Sequence, residues 1–107
     1  MAALQMNEQL FRTMQESGKP LLVDFWAPWC GYCRRIGPAY DKIAEQYGEV
    51  LTVGKVDVDQ EAGLARAEQI EVLPTLILYR DGKAIGSIVA PESKAMIDTF
   101  IRETLER

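Results

Sequence analysis

The sequence predicts an α/β domain with a central mixed β-sheet of four to five strands flanked by about four helices. Three observations carry this. Residues 21–27, LLVDFWA, form a nearly continuous apolar run, the pattern of a strand buried on both faces. Segments of strand and helix character then alternate, as parallel pairing with helical crossovers requires. Near the end, two strand-like runs flank Asp81-Gly82, a dipeptide suited to a tight hairpin turn, so part of the sheet is antiparallel.

Taken in order, Asn7 is placed to cap a helix running to about Glu16, with Leu10, Phe11 and Met14 on one face. Gly18 and Pro20 stop it, and the apolar run from Leu21 to Ala27 follows. A second helix is expected from Cys30 to Tyr47. Ile36, Tyr40, Ile43, Ala44 and Tyr47 keep helical spacing, Gly48 stands as C-cap, and Pro38 bends the interior. Val50 to Asp59 reads as a strand and Glu61 to Gln69 as a short helix. Thr75 to Tyr79 and Ala84 to Val89 make the hairpin. The last helix spans about Ser93 to Leu105, with Met96, Ile97, Phe100, Ile101 and Leu105 as its buried stripe.

Composition narrows the function. At 107 residues, with 48% hydrophobic and 26% charged residues, the chain suits one soluble globular domain over residues 1–107. No repeat, low-complexity tract or linker divides it. No apolar stretch is long enough to span a bilayer, and the first residues lack the basic and apolar regions of a secretion signal. A net charge of −4 with scattered basic residues argues against nucleic acid as the ligand. There is no histidine, which removes the commonest general base and the commonest metal ligand together.

The two cysteines, Cys30 and Cys33, carry the functional question. As a structural staple they would close a loop so short that it contributes roughly 2 kcal/mol. As a zinc site they supply two thiolates where four ligands are usual, so only a dimer could complete it, and no metal site is expected. As a redox pair the geometry fits. Residues three apart on a helix have Cα atoms about 5 Å apart, within disulfide reach. At the start of a helix Cys30 faces unpaired N–H groups and the positive end of the dipole, which favour the nucleophilic thiolate. Cys33 lies one turn deeper and should act second.

The order of motifs resembles the thioredoxin family over nearly the whole chain. VDFWAPWCGYC resembles its active-site segment, Pro38 its kinking proline, KVDVD the following strand, VLPT its cis-proline loop, and RDGK its terminal hairpin. The resemblance implies the thioredoxin fold and a cytoplasmic, monomeric thiol–disulfide oxidoreductase. Cys30 is then the nucleophile and Cys33 the resolving thiol. Asp24, through a water, is the proton acceptor for Cys33, and Lys55 on the neighbouring strand tunes Asp24. Trp29, Gly31, Leu73, Pro74, Val89 and Ala90 form a flat apolar face that docks clients, with Trp26 packed beneath. The resemblance implies no bound cofactor, only a redox-active disulfide reduced by an external NADPH-linked flavoprotein reductase. Partners are that reductase and disulfide-containing client proteins.

Three departures from the family pattern bear on this. Tyr32 replaces the proline of the usual WCGPC. It restores an N–H donor near the sulfurs, which together with Gly31 and Arg34 tunes the redox pair toward a more stable thiolate and a less reducing dithiol. Arg34 and Arg35 oppose the helix dipole, so they do not serve helix stability. Ala90 adds a methyl group where the family leaves space, altering partner choice. The segment before Asn7 is short, leaving the family's first edge strand reduced to about Ala2 to Gln5, or absent. Two alternative functions stay open at this level: a disulfide oxidase or isomerase, and a docking subunit that uses the same apolar face with incidental thiols. A glutaredoxin-like reading has only the tyrosine before Cys33 in its favour.

Overall fold

The computed structural model describes residues 2–107. Its elements run β1 (Leu4–Gln5), α1 (Glu8–Gln15), β2 (Leu21–Trp26), α2 (Gly31–Tyr47), β3 (Thr52–Asp57), α3 (Ala62–Ala67), β4 (Thr75–Arg80), β5 (Lys83–Val89) and α4 (Lys94–Leu105). The five strands form one sheet in the order β1-β3-β2-β4-β5. β1, β3 and β2 are parallel, while β4 and β5 are antiparallel additions. The mixed sheet and its four helices match the expected architecture, with the edge strand present but only two residues long.

Alternation along β2 sorts the core into two layers, because successive side chains leave a strand on opposite faces. Leu21, Val23 and Phe25 pack with Phe11 of α1 and Leu64 of α3. Leu22 packs with Tyr40 and Ile43 of α2 and with Ile97 and Ile101 of α4. Asp24 and Trp26, in phase with Leu22, therefore belong to the face covered by α2. Tyr40 fastens that helix to the sheet, its buried hydroxyl reaching the Leu22 carbonyl at 3.2 Å and the Gly54 carbonyl at 2.6 Å. Gly54 leaves room where β1 runs beside β3. A Cβ there would fall 2.6 Å from the Met6 methyl and 3.1 Å from the Leu4 carbonyl.

The helix starts follow their caps. Asn7 Oδ1 accepts the Leu10 N–H at 2.8 Å and Ser93 Oγ accepts the Met96 N–H at 3.2 Å. Gly48 does terminate α2, but with right-handed angles (φ −54°, ψ −27°), so left-handed freedom is not what ends the helix. The N–H groups of Val50 and Leu51 instead turn back to the Tyr47 carbonyl, both at 2.9 Å. The hairpin turn uses Asp81 (φ +55°) and Gly82 (φ +79°), the paired positive angles of a tight two-residue connection.

One expectation about the core is corrected. Met96 is 40% exposed rather than part of the buried stripe of α4. That stripe is Ile97, Ile101 and Thr104, and Met96 lies one position off it.

Candidate active site

The site forms where β2 ends and α2 begins. Cys30 is the N-cap of α2, with extended angles (φ −82°, ψ 106°), and Cys33 lies in the first turn. The cysteines are joined as a disulfide with Cα atoms 5.2 Å apart, so the structure describes the oxidised form. Cys30 Sγ accepts the Cys33 N–H at 3.2 Å, the position an N-cap oxygen usually takes. The first turn of α2 holds no acidic residue. Both features favour negative charge on this sulfur when the bond opens. Cys30 is 9% exposed and Cys33 3%, so the first sulfur is the more accessible.

Two side chains brace the loop leading into α2. The Trp29 indole N–H donates to Asp59 Oδ2 at 2.8 Å, and Arg34 Nη1 donates to the Pro28 carbonyl at 2.7 Å. Gly31 is exposed, and a Cβ there would meet only Arg34 Nη2, at 3.9 Å, so space does not demand glycine. Tyr32 is half-buried against Ala27, Cys30 and Cys33, with its hydroxyl donating to the Pro91 carbonyl at 3.0 Å.

On β2, Asp24 is 3% exposed, and its Oδ1 is buried with no hydrogen-bond partner. Burial pushes its carboxyl up from 3.8 to about 7, partly offset by the Lys55 ammonium on the register-matched residue of β3. The same ammonium lies 4.5 Å over the Trp26 ring. Trp26 is half-buried beside the cysteines, with its indole N–H unpartnered.

The residues expected on the apolar face come from separate loops. Trp29 is 67% exposed and Val89 50%, while Leu73 is half-buried. The Leu73-Pro74 peptide is cis. The Ala90 N–H donates to the Pro74 carbonyl at 2.9 Å, tying the end of β5 to that loop. Ala90 stands at φ +46°, in the left-handed region. An L-residue there costs roughly 1–2 kcal/mol, and glycine gives back part of the gain through unfolded-chain entropy. Ala90→Gly is therefore expected to raise stability by about 0.5–1 kcal/mol. Urea unfolding would read this as a higher midpoint at unchanged slope, and an unchanged or lower midpoint would refute it.

Of the residues expected at the site, Leu73 packs with Ala27, Cys30 and Cys33, Lys55 pairs in register with Asp24, and Ala90 is hydrogen-bonded to Pro74. Sequence reasoning missed Asp59 and Pro91. Asp59 closes the acidic end of KVDVD, but nothing in the sequence pairs it with an indole. The Pro91 carbonyl carries no sequence signal at all. Among the described residues no group of three or more His, Cys, Asp or Glu is placed to hold a metal, and no helix is long and apolar enough to cross a membrane.

A redox disulfide between cysteines three apart, capping a helix at the end of a mixed sheet, defines a thiol–disulfide oxidoreductase. The thioredoxin family model matches residues 2–103, and the chain belongs to that family. It is 46% identical over 83 residues to a thioredoxin of Mycolicibacterium smegmatis, covering 76% of this chain and 74% of that one. It is 41% identical over 91 residues to a bifunctional thioredoxin reductase/thioredoxin of Mycobacterium leprae, covering 85% of this chain and 20% of that protein. The crystal structure of Malassezia sympodialis thioredoxin aligns with a TM-score of 0.85 at 27% identity, covering 97% of this chain and 93% of that one.

Proposed function

We propose that the chain is a single-domain, monomeric reductant of disulfides in client proteins, with Cys30 as nucleophile and Cys33 as resolving thiol. The observation that carries this is the N-cap geometry, in which the more accessible sulfur accepts a helix N–H and the other lies within bonding distance. In the reduced form the Cys30 thiolate attacks one sulfur of the client disulfide. The client's other sulfur leaves as a thiolate and takes a proton from solvent. The carboxylate of Asp24 then accepts the Cys33 proton, through a water. The Cys33 thiolate attacks Cys30 Sγ, and the second client sulfur leaves. Two electrons pass to the client, and the chain retains the Cys30–Cys33 disulfide.

Lys55 keeps Asp24 from rising further. Trp29, Leu73, Pro74, Val89 and Ala90 receive the client segment, and the backbone of Leu73, before the cis bond, offers an edge for an extended chain. Gly31, the Tyr32 N–H and the Arg34 charge adjust the stability of the thiolate. The dithiol is restored by a thioredoxin-reductase-like, NADPH-linked flavoprotein. The M. leprae relative, named for both activities, supports such a partner. A dithiol maintained this way works in a reducing compartment, which supports the cytoplasm.

The test is to trap the intermediate. In Cys33→Ser, Cys30 can still attack but nothing resolves the product. A stoichiometric adduct between Cys30 and a disulfide-bonded client such as insulin is expected, visible by mass spectrometry and released by dithiothreitol. An adduct on Cys33 in the converse variant, with none on Cys30, would reverse the assignment.

A further inference from the structure

The active-site loop is held on two opposite flanks. In the sheet, β2 lies between β3 and β4, with β5 outside β4. Trp29 reaches toward the β3 side, hydrogen-bonding Asp59 just beyond that strand. Tyr32 reaches the other way, to the Pro91 carbonyl just beyond β5, across 59 residues of sequence. Pro91 is buried, and it follows Ala90, whose N–H is already held by Pro74. Among the described residues no other hydrogen bond joins residues 28–35 to residues 88–93. Tyr32 thus links the segment that carries the sulfurs to the segment that carries the outer rim of the docking face. That rim is also held by the Ala90–Pro74 hydrogen bond, and Ala90 occupies a backbone region that L-residues disfavour.

We propose that the Tyr32 hydroxyl is a positioning and specificity-determining group for protein clients. It fixes the Ala90–Pro91 rim at a set distance from Cys30 and closes the β5 side of the site. The open approach is then the groove of about 310 Å³ on the other flank, lined by Trp29, Val58, Arg66, Ile70 and Leu73. A client segment lying across the face meets a preorganised rim, whereas a small disulfide touches the sulfurs without spanning it. This rests on the dithiol-exchange reading above and is separate from any effect of the Tyr32 N–H on the sulfurs, because phenylalanine keeps that N–H.

The experiment compares wild type with Tyr32→Phe on insulin and on hydroxyethyl disulfide, with a reductant regenerating the dithiol. Losing one net hydrogen bond predicts that KM for insulin rises roughly two- to tenfold more than KM for hydroxyethyl disulfide. The ratio of kcat/KM for insulin to that for the small disulfide falls by the same factor. Amide hydrogen exchange at Ala90 accelerates in parallel. An unchanged ratio, as when both substrates slow together, overturns the proposal by reducing Tyr32 to a general redox or structural role. Unchanged Ala90 exchange overturns it by showing that the rim does not depend on the hydroxyl. A wild-type chain that reduces the small disulfide but not insulin would fail the client-reductase reading itself, which is a separate outcome from either.

Discussion

Cys30→Ser is expected to reduce insulin turnover to the uncatalysed background, the largest single effect available in this chain. A serine hydroxyl stays protonated near neutral pH, and its oxygen cannot enter a disulfide, so both the attack and the resolution are lost. The variant also loses the Cys30–Cys33 bond, worth about 2 kcal/mol to the oxidised form. The comparison is therefore made with reduced wild type, after circular dichroism shows both chains folded. The result separates an enzyme from a docking subunit. If the apolar face around Trp29 and Val89 served only to hold a partner, a double Cys30→Ser, Cys33→Ser variant would keep every function of the wild type. On the present reading it keeps affinity for clients and loses all electron transfer. Insulin turnover persisting in Cys30→Ser would remove the nucleophile from this account.

The parts of the fold legible in the sequence were those where one physical signal acts alone. Leu21 to Ala27 announces a buried strand because no polar face interrupts it. Asp81-Gly82 announces its hairpin because few residues accept two positive φ angles. Cys30 and Cys33 announce a redox pair because three residues of helix bring the sulfurs within reach. Positions set by tertiary context were harder. Thr104 is fully buried and Met96 exposed, the reverse of their hydropathy, because α4 meets the sheet along Ile97 and Ile101. Gly48 ends α2 without using a left-handed angle, since the following N–H groups turn back to Tyr47. The Trp29–Asp59 and Tyr32–Pro91 links join residues 30 and 59 positions apart, and a carbonyl acceptor leaves no trace in residue type. The burial of Asp24 was legible in part. An aspartate inside an apolar run must face either water or a partner, and only the packing of α2 over that face decides which.

Asp24→Asn is expected to stabilise the fold and slow the reaction, with opposite consequences from one buried charge. The Asp24 carboxyl binds its proton more tightly in the folded chain, at about 7, than at the unfolded reference of 3.8. Below pH 4 both states hold the proton, and burial carries no ionisation cost. Between pH 4 and 7 only the folded state holds it, so stability falls as pH rises through this window. Above pH 7 the full cost is present, roughly 4 kcal/mol at 1.36 kcal/mol per unit. The asparagine variant never ionises. Its advantage over wild type in urea unfolding should grow from near zero at pH 4 to about 4 kcal/mol at pH 8. A difference constant across that range would mean that Asp24 is not buried as a neutral acid. The kinetic effect has the opposite sign. An amide cannot accept the Cys33 proton, so release of the client from the mixed disulfide should slow by roughly a hundredfold, the lower end for a lost general base. The wild-type release rate should rise through pH 7 as the carboxyl ionises, and that rise should be missing in Asp24→Asn. An unchanged release rate in the variant would leave Asp24 as a cost with no catalytic return. A slowed rate would explain why a buried carboxyl stands beneath α2, where a small apolar residue would make a more stable protein.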